Sequence, residues 1–570
     1  MLNSVTWKIG GEAGFGIMAS GTMLARTFSR AGYHVLATNE YPSLIRGGHN
    51  LVTVRIATTK FEAMNKDLHI LVALNRETVN LHKQELNENA RVLFDPKDGE
   101  LKPGDFPKPV KLIAVPLTEI VTKFNGEPVM RNTVAIGASI ALFGAPFEYL
   151  ETVIADQFKK KGADVIKHNI DIARAGYDFI KDEQSMFLAP VEKKEDKLLV
   201  NANEAVGIGA VRAGLKFAAI YPMTPINALI TFLADHAKSL NIVYKQPEDE
   251  IAGINMAIGA ALGGLRSMVA TSGGGFALMV EGLSWAGMIE APLVIDLGMR
   301  VGPSTGMPTW SEQGELQFAI HAGHGEFPRI VLAPADAADA YTLAVEAFNL
   351  ADRYQVPVFL LTDKYINESQ WCVPKSHMSG YVGIDRGKIL AGGKPRYDLS
   401  AADGVSPRSV PGQKGGYYVA NSYEHDEIGH VTEKPGIRTA MAAKRLKKFE
   451  AMKKDVRAPA VYGDADAEIT FVTWGSTRGP VLEAMKLLAS QGKKTKLVHF
   501  SWIYPFPVED TMKLLSPATH LIDVEQNATG QMAWLIREHT GILIKDKLLK
   551  NDGRIWFPEE IVEKVSTLWK

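Results

Sequence analysis

Five runs of almost purely apolar residues recur through the middle of the chain: FAAIYP (217–222), SMVATS (267–272), PLVIDLG (292–298), PRIVLAP (328–334) and PVFLLTD (357–363). Helical patterns lie between them, notably EIAGINMAIGAALGG and FALMVEGLSWAGMIE. Strands without polar alternation have both faces covered, so these runs require a parallel sheet wrapped by helices. Glycine is abundant, at 51 residues, which suits the tight strand-to-helix turns of α/β layers.

A chain of 570 residues exceeds one ordinary domain. Residues 1–190 read as a doubly wound α/β domain: SVTWKI, a Gly-rich turn, a helix over about Ile17 to Ala31, YHVLATN, HILVAL and ARVLFD. The charged stretch VEKKEDK (191–197) is a linker candidate. Residues 198–375 hold the five apolar runs. Residues 376–458 are Gly/Pro-rich and then basic (KRLKKFEAMKK), and read as an irregular connection ending in a solvated helix. Residues 459–570 form a last α/β unit, with EITFVTWG, KLVHFSW and HLIDVEQ as strands.

The formal net charge of -1 gives no basic footprint for nucleic acid. No apolar run reaches transmembrane length, and the N-terminus reads as a strand, not a signal peptide. Cys372 is the single cysteine, so no disulfide forms within the chain and a cytoplasmic location is expected. One thiol also cannot hold an iron–sulfur cluster, which takes about four. Any electron transfer needs a second chain.

Several turns carry ligand-binding chemistry. Gly14-Phe15-Gly16-Ile17-Met18-Ala19 fits the dinucleotide pattern G-x-G-x-x-A, with Glu40 after the second strand. It equally fits a plain tight turn, or a phosphate cradle at a helix N-terminus. Arg46-Gly47-Gly48 suggests an anion beside backbone N–H groups, or an ordinary loop. Tyr221-Pro222-Met223-Thr224-Pro225 puts the Thr224 hydroxyl on a rigid strand end, where it serves a ligand or caps a helix. Glu248-Asp249-Glu250 precedes a helix apolar nearly all round, expected to be buried. Two of these acids can serve the helix dipole while Glu250 enters a site and exchanges protons.

Thr271-Ser272-Gly273-Gly274-Gly275 permits close approach of a ligand. Arg300 to Thr309 joins a cation, hydroxyls and a Gly/Pro loop, which suits a small carboxylate. His321 and His324 are expected to be ordinary core or loop residues. Glu424-His425-Asp426 and His430 read as a polar surface loop, and no metal site is expected.

In this order and spacing, GGEAGFG, EYPSLIRGGHNLVTVRI, YPMTP, PEDEIAGINMAIGAALGG, ATSGGGFALMVEGL, LGMRVGPSTGMPT and VTWGSTRGP resemble the 2-oxoacid:ferredoxin oxidoreductases, in the form with a γ domain fused ahead of the α subunit. The resemblance covers nearly the whole chain. It implies a γ-type domain, a thiamine diphosphate pyrimidine-binding domain over 198–375 and a transketolase C-terminal-like domain. No GDG triplet occurs in the sequence, so the pyrophosphate-binding half, with its Mg²⁺ and [4Fe-4S] cluster, is expected on a β subunit in an (αβ)₂ assembly that serves ferredoxin.

By position, Glu250 resembles the glutamate that bonds N1′ of the aminopyrimidine and moves the proton that activates the cofactor. Thr271, Ser272 and Gly273 match cofactor-binding positions. Thr224, Arg300, Thr305 and Thr309 match loops that receive the substrate. Gly14, Gly16 and Arg46 would lie near the phosphates of CoA. Gly274 stands where relatives often carry proline. The activity implied is CoA-dependent oxidative decarboxylation of 2-oxoglutarate, or its reverse. Pyruvate and branched-chain 2-oxoacids are alternatives. An NAD-dependent dehydrogenase or a non-catalytic scaffold are readings of another class.

Overall fold

The computed structural model describes residues 2–44, 47–183, 188–191, 195–390 and 395–568. The chain divides into two compact units. The first comprises Met1–Val200, Ser369–His377 and Phe557–Glu559, and the second the remainder.

The first unit is built on a mixed eight-stranded sheet. Strand Ser4–Glu12 pairs in parallel with Leu68–Ala73 on one side and antiparallel with His49–Ala57 on the other. His49–Ala57 also pairs antiparallel with His34–Glu40. The doubly wound expectation therefore holds for one half of the sheet, while an antiparallel strand is inserted in the other. Helix Arg131–Leu142 is buried at every position after its first. It crosses helix Ala163–Ile180 where Gly137 and Gly176 face backbone carbonyls, so any side chain at either glycine would strike the opposite helix.

The sheet also takes in strands Lys197–Val200 and Gln370–Pro374, which pair antiparallel with each other. Gln370 and Trp371 continue the ladder onto Ala37 and Leu36. Residues 192–194 of the expected linker lie outside the described residues.

The second unit contains a seven-stranded sheet in the order Trp502–Tyr504, Ile330–Leu332, Pro357–Asp363, Leu293–Met299, Ser267–Thr271, Phe217–Ala219 and Val243–Lys245. All pairs are parallel except the one formed by edge strand Trp502–Tyr504. A five-stranded sheet from the last part of the chain is parallel apart from edge strand Ala460–Gly463.

The connection after residue 376 departs from expectation. Its basic helix, Pro435–Met452, buries Lys444, Arg445 and Lys448. Lys444 and Lys448, four residues apart and so on one helix face, both reach Glu290, at 2.7 and 2.5 Å. Asp352 gathers Arg266, Arg386 and Arg408. Three of the charges that suggested a solvated helix are paired inside the protein, while Lys447, Lys453 and Lys454 remain exposed as expected. No helix among the described residues is long and apolar enough to cross a membrane.

Candidate active site

Three turns of interest lie where parallel strands of the second unit end. Phe217–Ala219 runs towards Tyr221–Pro225, Ser267–Thr271 into Ser272–Gly275, and Leu293–Met299 into Arg300–Thr309. The carboxyl ends of strands in an open parallel sheet form the ligand crevice.

The acidic triplet divides its work. Glu248 is exposed, and Asp249 caps helix Glu250–Leu262 by accepting from the Ala252 N–H at 2.8 Å. That leaves Glu250 free of capping duty. It is 3 % exposed, and its Oε1 is buried without a hydrogen-bond partner. The helix is not buried all round: Ile251 and Met256 face outward, so the expectation of a fully covered helix fails on that side.

The three-glycine turn packs on this carboxylate. A methyl group at Gly275 would lie 2.5 Å from Glu250 Oε1 and would also strike Thr271 Oγ1. Thr271 is fully buried, with its hydroxyl 3.8 Å from Met223 Sδ. Ser272 Oγ is buried and unpartnered. Gly273 and Gly274 open the helix Gly273–Met288. At Gly274 a Cβ would meet only Ser304 O, at 3.9 Å, and the first turn of a helix tolerates proline. Either residue fits there.

Arg300 donates through Nη1 to the Thr224 carbonyl at 2.8 Å, which joins two of the expected substrate loops. Thr309 is buried, with Oγ1 unpartnered, whereas Thr305 is exposed on the outer turn. Glu250, Thr271 and Ser272 thus converge with the glycine turn, and Arg300 with Thr224. No contact draws Thr305 in among the described residues.

Two acids escaped the sequence reading. Glu315 abuts Gly273, and burial, then the Glu312 charge, push its carboxyl up to about 8, against the pull of Arg300. Asp296 is fully buried in strand Leu293–Met299, where desolvation pushes it up to about 7. Thr362 Oγ1 donates to it at 2.9 Å, and Asn367 Nδ2 donates to that hydroxyl at 2.8 Å. Asn203 Nδ2 then donates to the Asn367 carbonyl at 2.9 Å and the Pro225 carbonyl at 2.7 Å. The chain ends on the Thr224 turn. One polar residue inside the apolar run VIDLG was its sequence signal.

In the first unit, Gly14 and Gly16 both adopt positive φ, 95° and 71°, and Gly16 precedes the 14-residue helix Ile17–Arg30. Ala13 N–H donates to the Gly48 carbonyl at 3.2 Å, so the two glycine turns meet. Arg46 lies outside the described residues. The dinucleotide reading fails on topology. It needs Glu40 on a parallel neighbour of the first strand, and antiparallel His49–Ala57 stands between them.

One further expectation changes in part. His425 is fully buried against Tyr397, with ring centroids 4.0 Å apart, and Glu424 pairs with Arg445, so the surface-loop expectation fails at these two residues, while His430 is exposed as expected. His321 and His324 are exposed, in keeping with ordinary loop residues.

Comparison with known proteins identifies the family. Residues 208–444 match the family model "Pyruvate flavodoxin/ferredoxin oxidoreductase, thiamine diP-bdg". Residues 6–179 match "Pyruvate ferredoxin/flavodoxin oxidoreductase", and 467–561 match "Pyruvate:ferredoxin oxidoreductase core domain II". The 2-oxoacid:ferredoxin oxidoreductase subunit alpha of Saccharolobus solfataricus is 33% identical, covering 99% of this chain and 98% of the relative. The 2-oxoglutarate synthase subunit KorA of Archaeoglobus fulgidus is 33% identical over 64% of this chain and 98% of its own. A solved 2-oxoglutarate:ferredoxin oxidoreductase from Magnetococcus marinus, with 2-oxoglutarate, coenzyme A and succinyl-CoA bound, superposes with a TM-score of 0.93 at 31% identity, covering 100% of both chains. The chain belongs to the 2-oxoacid:ferredoxin oxidoreductases, a family of enzymes, as a member of the alpha-subunit type, and residues 208–444 carry its thiamine diphosphate-binding region.

Proposed function

We propose that this chain is the α subunit of a cytoplasmic 2-oxoglutarate:ferredoxin oxidoreductase, converting a 2-oxoacid and CoA to acyl-CoA and CO₂, or the reverse. One observation carries the site: Glu250 presents a buried, unspent carboxylate oxygen beside Gly275, where any side chain would strike it. This fits the aminopyrimidine of thiamine diphosphate, whose ring nitrogen would satisfy that oxygen. Once bound, the cofactor supplies the electron sink for decarboxylation. Glu250 holds and returns the proton at Oε1. Thr271, Ser272 and Gly273 line the cofactor's approach, and Ser272 Oγ and Thr309 Oγ1 are further buried groups without partners. Thr224 and Arg300 orient the 2-oxoacid, with Thr309 beside them and Thr305 at the rim. In the first unit, Gly14, Gly16 and Arg46 would receive CoA phosphates.

A β subunit is proposed to bring Mg²⁺, the [4Fe-4S] cluster and the contact with ferredoxin, in an (αβ)₂ complex, since one cysteine cannot build the electron path here. The match to the Magnetococcus marinus enzyme over the full chain favours 2-oxoglutarate over pyruvate or branched-chain 2-oxoacids. The test is anaerobic purification of the native complex, assayed with 2-oxoglutarate, CoA, thiamine diphosphate and a low-potential acceptor. Co-purification of an iron–sulfur chain and CoA-dependent reduction are expected. A colourless single chain that reduces NAD would overturn the reading.

A further inference from the structure

Glu315 is a carboxyl group to which the proposed reaction gives no part. It closes the loop that starts at Arg300, three residues beyond Glu312. The residue keeps partial exposure, but its Oε2 is sealed from solvent and unpartnered. Its Oε1 lies so close to Gly273 that any side chain there would collide with it. Glu250 packs against Gly275 in the same turn. Two acids therefore grip the three-glycine turn from its two ends, each with one oxygen unspent. The Arg300 loop passes the middle of that turn at Ser304.

The charged groups acting on Glu315 are Glu312 on its own loop and Arg300 at the end of strand Leu293–Met299. Glu250 is the acid at the far end of the turn. A buried carboxylate without a partner is costly, whereas a neutral carboxyl offers a hydrogen-bond donor. The group's upward shift to about 8 agrees with the neutral form at ordinary pH.

Taking the site as a 2-oxoacid site, we propose that Glu315 binds the substrate as a neutral carboxyl, donating a hydrogen bond to the 2-oxoacid carboxylate while Arg300 supplies the positive charge. The proton stays on Glu315 throughout. Ionisation removes the donor and places a negative charge beside an anionic ligand, so binding weakens as pH rises.

The experiment is the pH dependence of KM and kcat for 2-oxoglutarate, measured on the assembled enzyme from about pH 7 to about pH 10. Wild-type KM is expected to climb by up to about tenfold per pH unit above the Glu315 transition, with kcat little changed. Glu315→Gln keeps an N–H donor and cannot ionise, so its KM stays flat. Glu312→Gln removes the like charge that raises Glu315, and moves the climb to lower pH. Superimposable KM profiles for wild type and Glu315→Gln overturn the proposal. Should that variant fail to assemble, an unshifted profile in Glu312→Gln overturns it instead. An active enzyme with a pH-independent KM removes only the role of Glu315, whereas wild type inactive on every 2-oxoacid removes the functional reading as well.

Discussion

Replacing Glu250 by glutamine separates chemistry from architecture at the centre of the site. The exchange keeps shape and volume. The cap of the helix survives, because Asp249 makes it. The packing against Gly275 and Thr271 also survives. What disappears is the ability to hold and return a proton. Loss of a positioned acid–base group costs about 10²–10⁴-fold in rate, which is about 2.7–5.5 kcal/mol of activation free energy. Folding should not suffer, since the variant removes a charge whose Oε1 has no partner in the buried site. The assay pairs 2-oxoacid-dependent reduction of a low-potential acceptor with thermal unfolding of the assembled complex. A large fall in kcat with an unchanged or raised melting temperature is expected. Turnover equal to wild type would refute the proton role. A parallel loss of turnover and melting temperature would show that Glu250 acts through structure instead.

Asn203→Ala frees the Pro225 and Asn367 carbonyls and loosens the Thr224 turn, raising KM for the 2-oxoacid about five- to thirtyfold, for about 1–2 kcal/mol of lost hydrogen bonding, with kcat less affected; an unchanged KM counts against the relay. Glu290→Gln strands two buried ammonium groups and should cost about 3–5 kcal/mol in denaturant unfolding, and a cost below about 1 kcal/mol would reject the pairing as a structural anchor. His499 is buried, and desolvation lowers its pKa to about 3. Because the folded pKa lies below the unfolded value, this contribution is complete above about pH 6.5 and is lost as pH falls towards 3, at about 1.4 kcal/mol per unit. His499→Gln, able to donate to the Gly475 carbonyl as the Nε2–H does, should move acid unfolding to lower pH, and an identical midpoint would rule out the linkage.

The sequence disclosed the parallel sheet of the second unit because its strands are apolar without interruption, a pattern that sterics and burial make hard to imitate. The glycine turn and the Arg300 loop were legible for the same reason, since each follows a recognisable strand, whereas Glu250 was legible from the apolar helix it opens. The mixed sheet of the first unit was not, because strand direction leaves no mark in a sequence of nine residues such as HNLVTVRIA. The buried lysines of helix Pro435–Met452 misled for a physical reason: their partner, Glu290, lies 154 residues from Lys444. Glu315 and Asp296 were hidden similarly. An acid announces itself only when the surrounding fold removes its water.

The strands Lys197–Val200 and Gln370–Pro374 have a topological consequence. They leave and rejoin the first unit's sheet at either end of the long central segment. A break engineered in the backbone between residues 191 and 195 would therefore cut one covalent bond without cutting the sheet. The piece from 1 to 191 would still be zipped to the remainder through Ala37 and Leu36 against Gln370 and Trp371. Whether such a molecule is written as one gene or two then becomes a question of bookkeeping for the cell, because the ladder that rejoins the pieces is already encoded on both sides of the cut.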